Sequence, residues 1–323
     1  MAQQHLVAVD GPEHLGRPRW HGQPERLEVW YATFTDPVRG DGYWLHHEVV
    51  AGPDGRAHGL GWVAAFPADG QPVVERFGPE PVVADEPSET RWFEAGGARV
   101  GPGEMRGRTD NAHWDLAFHD EATPLFTFPE YVWHGSLLPS SQVVPWPSAT
   151  VSGTVSIGGH RVQVREARGA VSRIYGKGNA HQWGWLHADL GGGDALEIVA
   201  AQGRAPGLRR VPPKVFLQLR VDGEDWPADP LAAAMGSRAR LGLPRWYASV
   251  TGPRRRVRVG VRIPPAASVT LEYRDPDDAS ARCTNSCRAD AEVRLERRTL
   301  TGWSLERRWS LRGGAHAEIG QRP

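Results

Sequence analysis

Lysine is nearly missing from this chain. It occurs only at Lys177 and Lys214, and arginine supplies the rest of 38 basic residues set against 38 acidic ones. The formal net charge is zero, whereas a nucleic-acid binder carries a basic excess on one face, so nucleic acid is not an expected partner. The densest basic cluster, Arg254-Arg255-Arg256 with Arg258, meets the alternating Val257, Val259, Val261 and Ile263, and reads as the wet side of a strand. Cysteine is scarce as well. Cys283 and Cys287 are too few for a disulfide scaffold, and either close a strained hairpin disulfide or remain thiols. No run approaches the roughly 18 to 20 apolar residues that span a bilayer. The opening MAQQHLVAVDG lacks the basic and apolar regions of a secretory signal. The expectations are no stable membrane insertion and a cytoplasmic location, with the oligomeric state left open. Also missing are Gly-x-Gly-x-x-Gly, a Walker loop and Gly-x-Ser-x-Gly, which sets aside the commonest nucleotide enzymes and serine hydrolases. The adjacent His46 and His47 point to opposite faces of a strand, and His181 and His187 share a side only if 181 is already in the strand. The Cys283–Cys287 separation is weak metal evidence, so neither a metal nor a cofactor is expected.

Helix signals are equally sparse. The one candidate is 229–239, DPLAAAMGSRA, where alanines follow an Asp-Pro start. Elsewhere 38 glycines and 27 prolines cut the chain into strand-length pieces. Arg26–Phe34 and Gly42–Val50 read as strands, and Pro53-Asp54-Gly55 turns the second into Gly59–Phe66. A second series begins at Thr150–Ile157, turns at Gly158-Gly159 and continues through His160–Glu166. Short strands at this spacing predict an all-β fold of two antiparallel barrel or sandwich domains with one or two short helices. The Pro- and Ser-rich LLPSSQVVPWPSAT at 137–150 is the expected crossover, dividing 1–143 from 144–323.

Tryptophan, with 14 residues, is what the chain has in excess. Most should pack in cores, but several stand beside histidines and carboxylates on strand-like segments. Alternation puts Trp183, Trp185, His187 and Asp189 on one face, with His181 and Tyr175 just before them. That wall suits an apolar ligand and a proton donor, or else a core strand whose polar end reaches solvent. Trp44, His46 and Glu48 share a face in the same way. Near 113–119, His113, Asp115 and His119 alternate with Trp114, Leu116 and Phe118. A carboxyl beside aromatics can serve as a general acid. Asp189 or His187 is the first expected donor, and Asp115 or Glu48 the alternative. Trp183, Trp185, His181, Tyr175, Trp44, His46 and Trp114 are the expected binding residues.

Three motif groups then resemble a known family. They are Gly42-Tyr-Trp-Leu followed by Gly61-Trp-Val-Ala-Ala-Phe66; Gly103-Glu-Met-Arg-Gly leading to His113-Trp-Asp-Leu116; and Tyr175-Gly-Lys followed by Trp183-Gly-Trp-Leu-His187. Their order and spacing resemble the two-domain lipocalin-like proteins that include carotenoid 1,2-hydratase (hydroxyneurosporene synthase) and tocopherol cyclase, with lipocalin-like Diels–Alderases as more distant relatives. The resemblance implies two lipocalin-like domains and a cofactor-independent cyclase or hydratase acting on a hydrophobic isoprenoid or polyketide-type molecule in a barrel pocket. A non-catalytic lipid or small-molecule binding protein, or a pericyclase, are the alternatives it leaves. The Asp-His-Asn-Trp-Gly sequence expected around the hydratase's acid is absent, and Gly176-Lys-Gly-Asn-Ala-His181-Gln-Trp takes its place. That departure weighs against the hydration reaction in particular.

Overall fold

Alternating apolar and polar residues, cut by glycine turns, build two ten-stranded antiparallel sheets of matching topology. A computed structural model of the chain describes residues 11–82, 90–135 and 138–323. The opening decapeptide read above for a leader lies outside these residues, as does position 137 of the anticipated crossover. The first sheet holds β1 (Arg26–Thr35), β2 (Gly42–Ala51), β3 (Ala57–Phe66), β4 (Val73–Pro81), β5 (Phe93–Ala95), β6 (Ala98–Gly101), β7 (Glu104–Arg108), β8 (Ala112–His119), β9 (Ser140–Ile157) and β10 (His160–Gly176). Its order is β4-β3-β2-β1-β10-β9-β8-β7-β6-β5, so the last strand returns to pair with the first.

The second sheet repeats the plan with β11 (Gln182–Gly191), β12 (Asp194–Gln202), β13 (Lys214–Val221), β14 (Glu224–Trp226), β15 (Ser237–Arg240), β16 (Arg245–Thr251), β17 (Arg255–Arg262), β18 (Val269–Arg274), β19 (Ser280–Thr299) and β20 (Gly302–Gln321). Here β20 closes back on β11, and β18 pairs with β19 beside the main path. Each sheet curls back on itself: Gly59 of β3 packs on Ala95 of β5, and the Val215 amide of β13 bonds Ser237 Oγ of β15 at 2.9 Å. The protein is all-β, two lipocalin-like barrels in series.

Residues 140–150 of the anticipated crossover are the start of β9, paired with β10 from Ser140↔Gly176 onward. Pro145 and Pro147 sit where the ladder shifts register between Val143 and Ala149, a place where a missing N–H is tolerated. The chain passes from the first sheet to the second at 177–181. The turn at Gly158-Gly159 forms as read, with φ of 59° and 78°, both in the region that favours glycine. The expected helix at 229–239 is a single turn, α3 (Pro230–Ala234), capped by Asp229 and followed at once by β15. Two other short helices, α1 (Pro12–Gly16) and α2 (Glu130–His134), go beyond the sequence reading.

Both barrel interiors are filled with side chains. Trp30, Phe34, Leu45, Trp114 and Met105 interdigitate in the first, and Leu186, Ile198, Leu217 and Trp246 in the second. The outer faces of β1, β2 and β10 look toward the outer faces of β11, β12 and β18–β20, and further apolar clusters form between them. One joins Trp44, Trp62 and Phe66 to Trp183, Leu271 and Tyr273; another joins Leu27, Val29 and Tyr31 to Trp185. Half-buried cross-links tie the halves: Thr35 Oγ1 bonds His316 Nε2 at 2.9 Å, and Arg288 donates to the carbonyls of Pro67 and Ala68.

Candidate active site between the two barrels

With the interiors packed, an apolar-lined concavity falls between the barrels. A cavity of about 450 Å³ opens there, within the size range of small-molecule sites. Its first wall comes from the outward positions of β1 and β2, and its second from those of β11, β12, β18 and β20.

Alternation along β2 decides what it presents. Tyr43, Leu45 and His47 point into the first barrel, so Trp44, His46 and Glu48 must face the cavity. His46 Nε2 and Glu48 Oε2 lie 2.9 Å apart, both buried. The neighbouring strand brings Trp62 opposite His46, and the two rings stack at 4.0 Å and 8°. Trp44 meets Trp62 edge-on at 5.1 Å, and Tyr273 closes the group at 5.3 Å from Trp62. Burial pushes the Tyr273 hydroxyl well up from its ordinary value, with the neighbouring Cys283 adding to it, so this phenol keeps its proton.

On the facing wall, Trp183 and Trp185 line the cavity from β11 while Leu186 and Ala188 fill the second barrel. Trp183 lies flat over Gly320, where a Cβ would sit 1.9 Å from the indole, and donates Nε1–H to Glu318 at 2.8 Å. Glu318 also accepts from Asn285 at 3.1 Å and lines the cavity. Behind Trp185 lies Glu197, fully buried on β12. It accepts from Trp185 Nε1 at 2.5 Å and Gln142 Nε2 at 2.6 Å, and bonds His187 Nδ1 at 2.9 Å. Gln142 in turn donates to the Tyr31 hydroxyl at 2.7 Å, whose ring meets Trp185 edge-on at 5.5 Å. Burial, then the Glu197 carboxylate, raises Tyr31 well above the usual phenol value.

The expected residues therefore separate. Trp44, His46, Glu48, Trp183 and Trp185 line one cavity. His187 shares their face but is spent on Glu197 behind the wall. Asp189 stands at the end of β11, bonded to Arg168 at 3.4 Å and to the Gly191 amide at 2.9 Å, outside the lining. Asp115 is exposed on β8 beside Arg106, while its neighbour Trp114 is buried inside the first barrel. Tyr175 packs under the Arg19 guanidinium, 4.3 Å from it. His181 precedes β11 with its amide on the Gln202 carbonyl, also outside the lining. Residues absent from the sequence reading are Tyr31, Gln142, Glu197, Tyr273 and Glu318. The signal for Glu197 was a lone acid in the apolar run Ala195–Ala201. Tyr31 and Glu318 carry no comparable local mark. Cys283 and Cys287 are both free and buried, and burial pushes both thiols well up, so neither is a ready nucleophile.

Residues 81–321 match the model of the tocopherol cyclase-like family. Uncharacterized proteins of two Mycobacterium tuberculosis strains are 44% identical over 305 residues, spanning 94% of this chain and 89% of each relative. Among solved structures, CghA crystallised with Sch210972 superposes with a TM-score of 0.57 at 11% identity, over 92% of this chain and 88% of that one. An AttH-like protein of Nitrosomonas europaea gives 0.56 at 16% identity over 92% of both chains. Kievitone hydratase from Nectria haematococca gives 0.53 at 11% identity, over 93% of this chain and 90% of its own. At these identities the three structures speak for the fold, while the family match and the mycobacterial relatives speak for descent. The chain belongs to the tocopherol cyclase-like family.

Proposed function

We propose that the inter-barrel cavity holds a hydrophobic isoprenoid or polyketide-type molecule, and that the chain is a cofactor-independent, acid-initiated cyclase or hydratase working from His46 and Glu48. The observation that carries this reading is the buried His46–Glu48 bond in a wall of aromatic rings. A bond between an imidazole nitrogen and a carboxylate oxygen has a proton between them, and Glu48 alone of the four expected donors lines the cavity. Family membership supports the same class, as does a neighbour of shared fold that is itself a hydratase.

In the proposed step, the pair's proton forms a C–H bond with one carbon of a double bond, and the π electrons used leave a cation on the other. Trp44, Trp183 and Trp185 line the space that cation would occupy, and an aromatic ring attracts a cation more strongly in a desolvated site. A hydroxyl of the same molecule, or a water, then forms the C–O bond and returns its proton to the pair. The net change is isomerisation or addition of water, with no oxidation. Glu197 acts at one remove: its bonds to Trp185 and Gln142 fix the second wall.

A second reading, a pericyclase or a carrier, draws on the strongly apolar lining and on the donors that already occupy Glu197 and Glu318. Solvent deuterium separates the two. A substrate found by screening polyprenyl phenols and quinols should take deuterium from D2O at the new C–H bond. Glu48→Gln should cut turnover at least about a hundredfold, the usual scale of general-acid catalysis, while affinity stays within a few fold. Full turnover by Glu48→Gln, with no deuterium in the product, would instead establish the pericyclase.

A further inference from the structure

We propose that residues 203–214 are a docking surface for an anionic lipid bilayer, seating the mouth of the cavity on the membrane from which a hydrophobic substrate would enter. Every residue from 205 to 212 is exposed, although β12 and β13 on either side are largely buried. Leu208 is 51% and Val211 41% exposed, and both also line the cavity mouth. Two large apolar side chains thus stand in solvent where the apolar cavity opens.

The charges on this loop, from 203 to 214, are all basic. Arg209 and Arg210 stand between the two apolar residues in sequence, Arg204 and Lys214 line the same rim, and the Lys177 carbonyl accepts from Arg204 at 3.2 Å. Both lysines of a chain with zero net charge therefore fall at this edge. Arg204 pairs with Asp277. Among the described residues no acid pairs with Arg209, Arg210, Lys177 or Lys214, so these cations are available to phosphate headgroups. The loop is also set in shape. Gln202 Nε2 donates to the carbonyls of Arg209 and Val211 at 2.9 Å each, and Arg209 Nε donates to the Arg204 carbonyl at 3.0 Å. A surface already shaped loses less freedom on docking.

Basic residues around apolar tips are the pattern of interfacial attachment: the cations meet anionic headgroups while the apolar side chains enter the acyl boundary. Single-stranded nucleic acid would call for aromatic platforms, and 203–214 holds no aromatic residue. Vesicle binding is measured without turnover, so this inference stands or falls apart from the chemistry assigned to Glu48.

The test is co-sedimentation of the full chain with phosphatidylcholine vesicles, with and without phosphatidylglycerol. Each basic residue near such a surface contributes about fivefold in partitioning. The anionic vesicles should therefore retain at least about tenfold more protein, and high salt should abolish the difference. Arg209→Glu with Arg210→Glu should remove at least about tenfold of that binding, and Leu208→Ser with Val211→Ser several fold, each variant melting at the wild-type temperature. If the charge reversals perturb folding, Arg209→Gln with Arg210→Gln should still lower binding several fold. Equal binding to both vesicle types would overturn the proposal. So would folded variants that bind as well as wild type, or capture of single-stranded RNA while vesicles are ignored.

Discussion

Glu48, Glu197 and Glu318 are three carboxylates held between the barrels, and their partners give them different tasks. Glu197 already accepts from Trp185 and Gln142 and bonds His187, which suits a fixed anchor. Glu197→Ala would strand those partners in a buried space, and leaving such groups unsatisfied costs about 1–3 kcal/mol or more. Urea denaturation should show a loss of at least about 2 kcal/mol for Glu197→Ala. An unchanged midpoint and slope would mean that the network is not holding the wall. Glu48→Gln should leave the midpoint nearly as it was, because an amide can still bond His46. Much of this was legible in the sequence: strict alternation on β2 and β11 put Trp44, His46 and Glu48 on one face, and Trp183 and Trp185 on another. What alternation cannot tell is which outward face meets another sheet and which meets water. Asp115 and Asp189 obey the same periodicity as Glu48, yet Asp115 lies on β8, away from the gap, and Asp189 at the open end of β11.

The strands and their turns were readable wherever a local rule governs them, as at Gly158-Gly159. The β9 segment was not, because its prolines mimic a linker while long-range pairing to β10 accommodates them at register shifts. Register also carries function at Gly320. It faces Trp183 across β20 and β11, and the indole occupies the space of its missing side chain. Gly320→Ala should displace Trp183, cost about 1–3 kcal/mol of stability as overpacking does, and weaken ligand binding. An alanine variant with wild-type melting and affinity would show that Trp183 has room to move. The N-terminal segment is tied to the end of the first barrel by another device. Glu28 accepts from the Arg19 and Trp20 amides at 2.8 Å each and pairs with buried Arg173, whose guanidinium reaches the carbonyls of Leu15 and Arg17. Removing one partner of a buried pair costs about 3–5 kcal/mol, so Arg173→Met should lower the urea midpoint sharply. A shift under about 1 kcal/mol would contradict that role.

At the scale of the molecule, two barrels of matching topology share an apolar seam, so neither half should be stable alone. Residues 177–323 produced separately would expose Trp183, Trp185, Leu271 and Tyr273, and should be recovered as aggregate rather than as a folded monomer. Buried imidazoles set the acid limit. Burial, with His46 nearby, pushes His47 down to about 3, and burial with His187 lowers His316 well below its usual value. Well above pH 6.5 both residues are neutral folded or unfolded and contribute no slope. As pH falls through about 6.5, the unfolded chain takes up protons that the folded one refuses, so stability falls, for His47 down to about pH 3, by up to about 1.4 kcal/mol per pH unit for each histidine. His47 sits among Phe77, Phe93 and Trp114, so His47→Phe keeps the packing, and its stability measured against pH should lose one histidine's share of that slope. Identical slopes for the two proteins would contradict the burial account. The central claim is that the ligand lies between the barrels, and isothermal titration of the full chain with geranylgeraniol, repeated on Ala201→Phe, tests it most directly. Ala201 lines the cavity from β12, outside the packed barrel interior, so phenylalanine there fills the site. The account predicts one molecule bound by the wild type and at least about a tenfold weaker affinity in a variant of unchanged melting temperature, since the filled volume would otherwise be ligand contact. Wild-type affinity in Ala201→Phe would place the ligand elsewhere and contradict the claim.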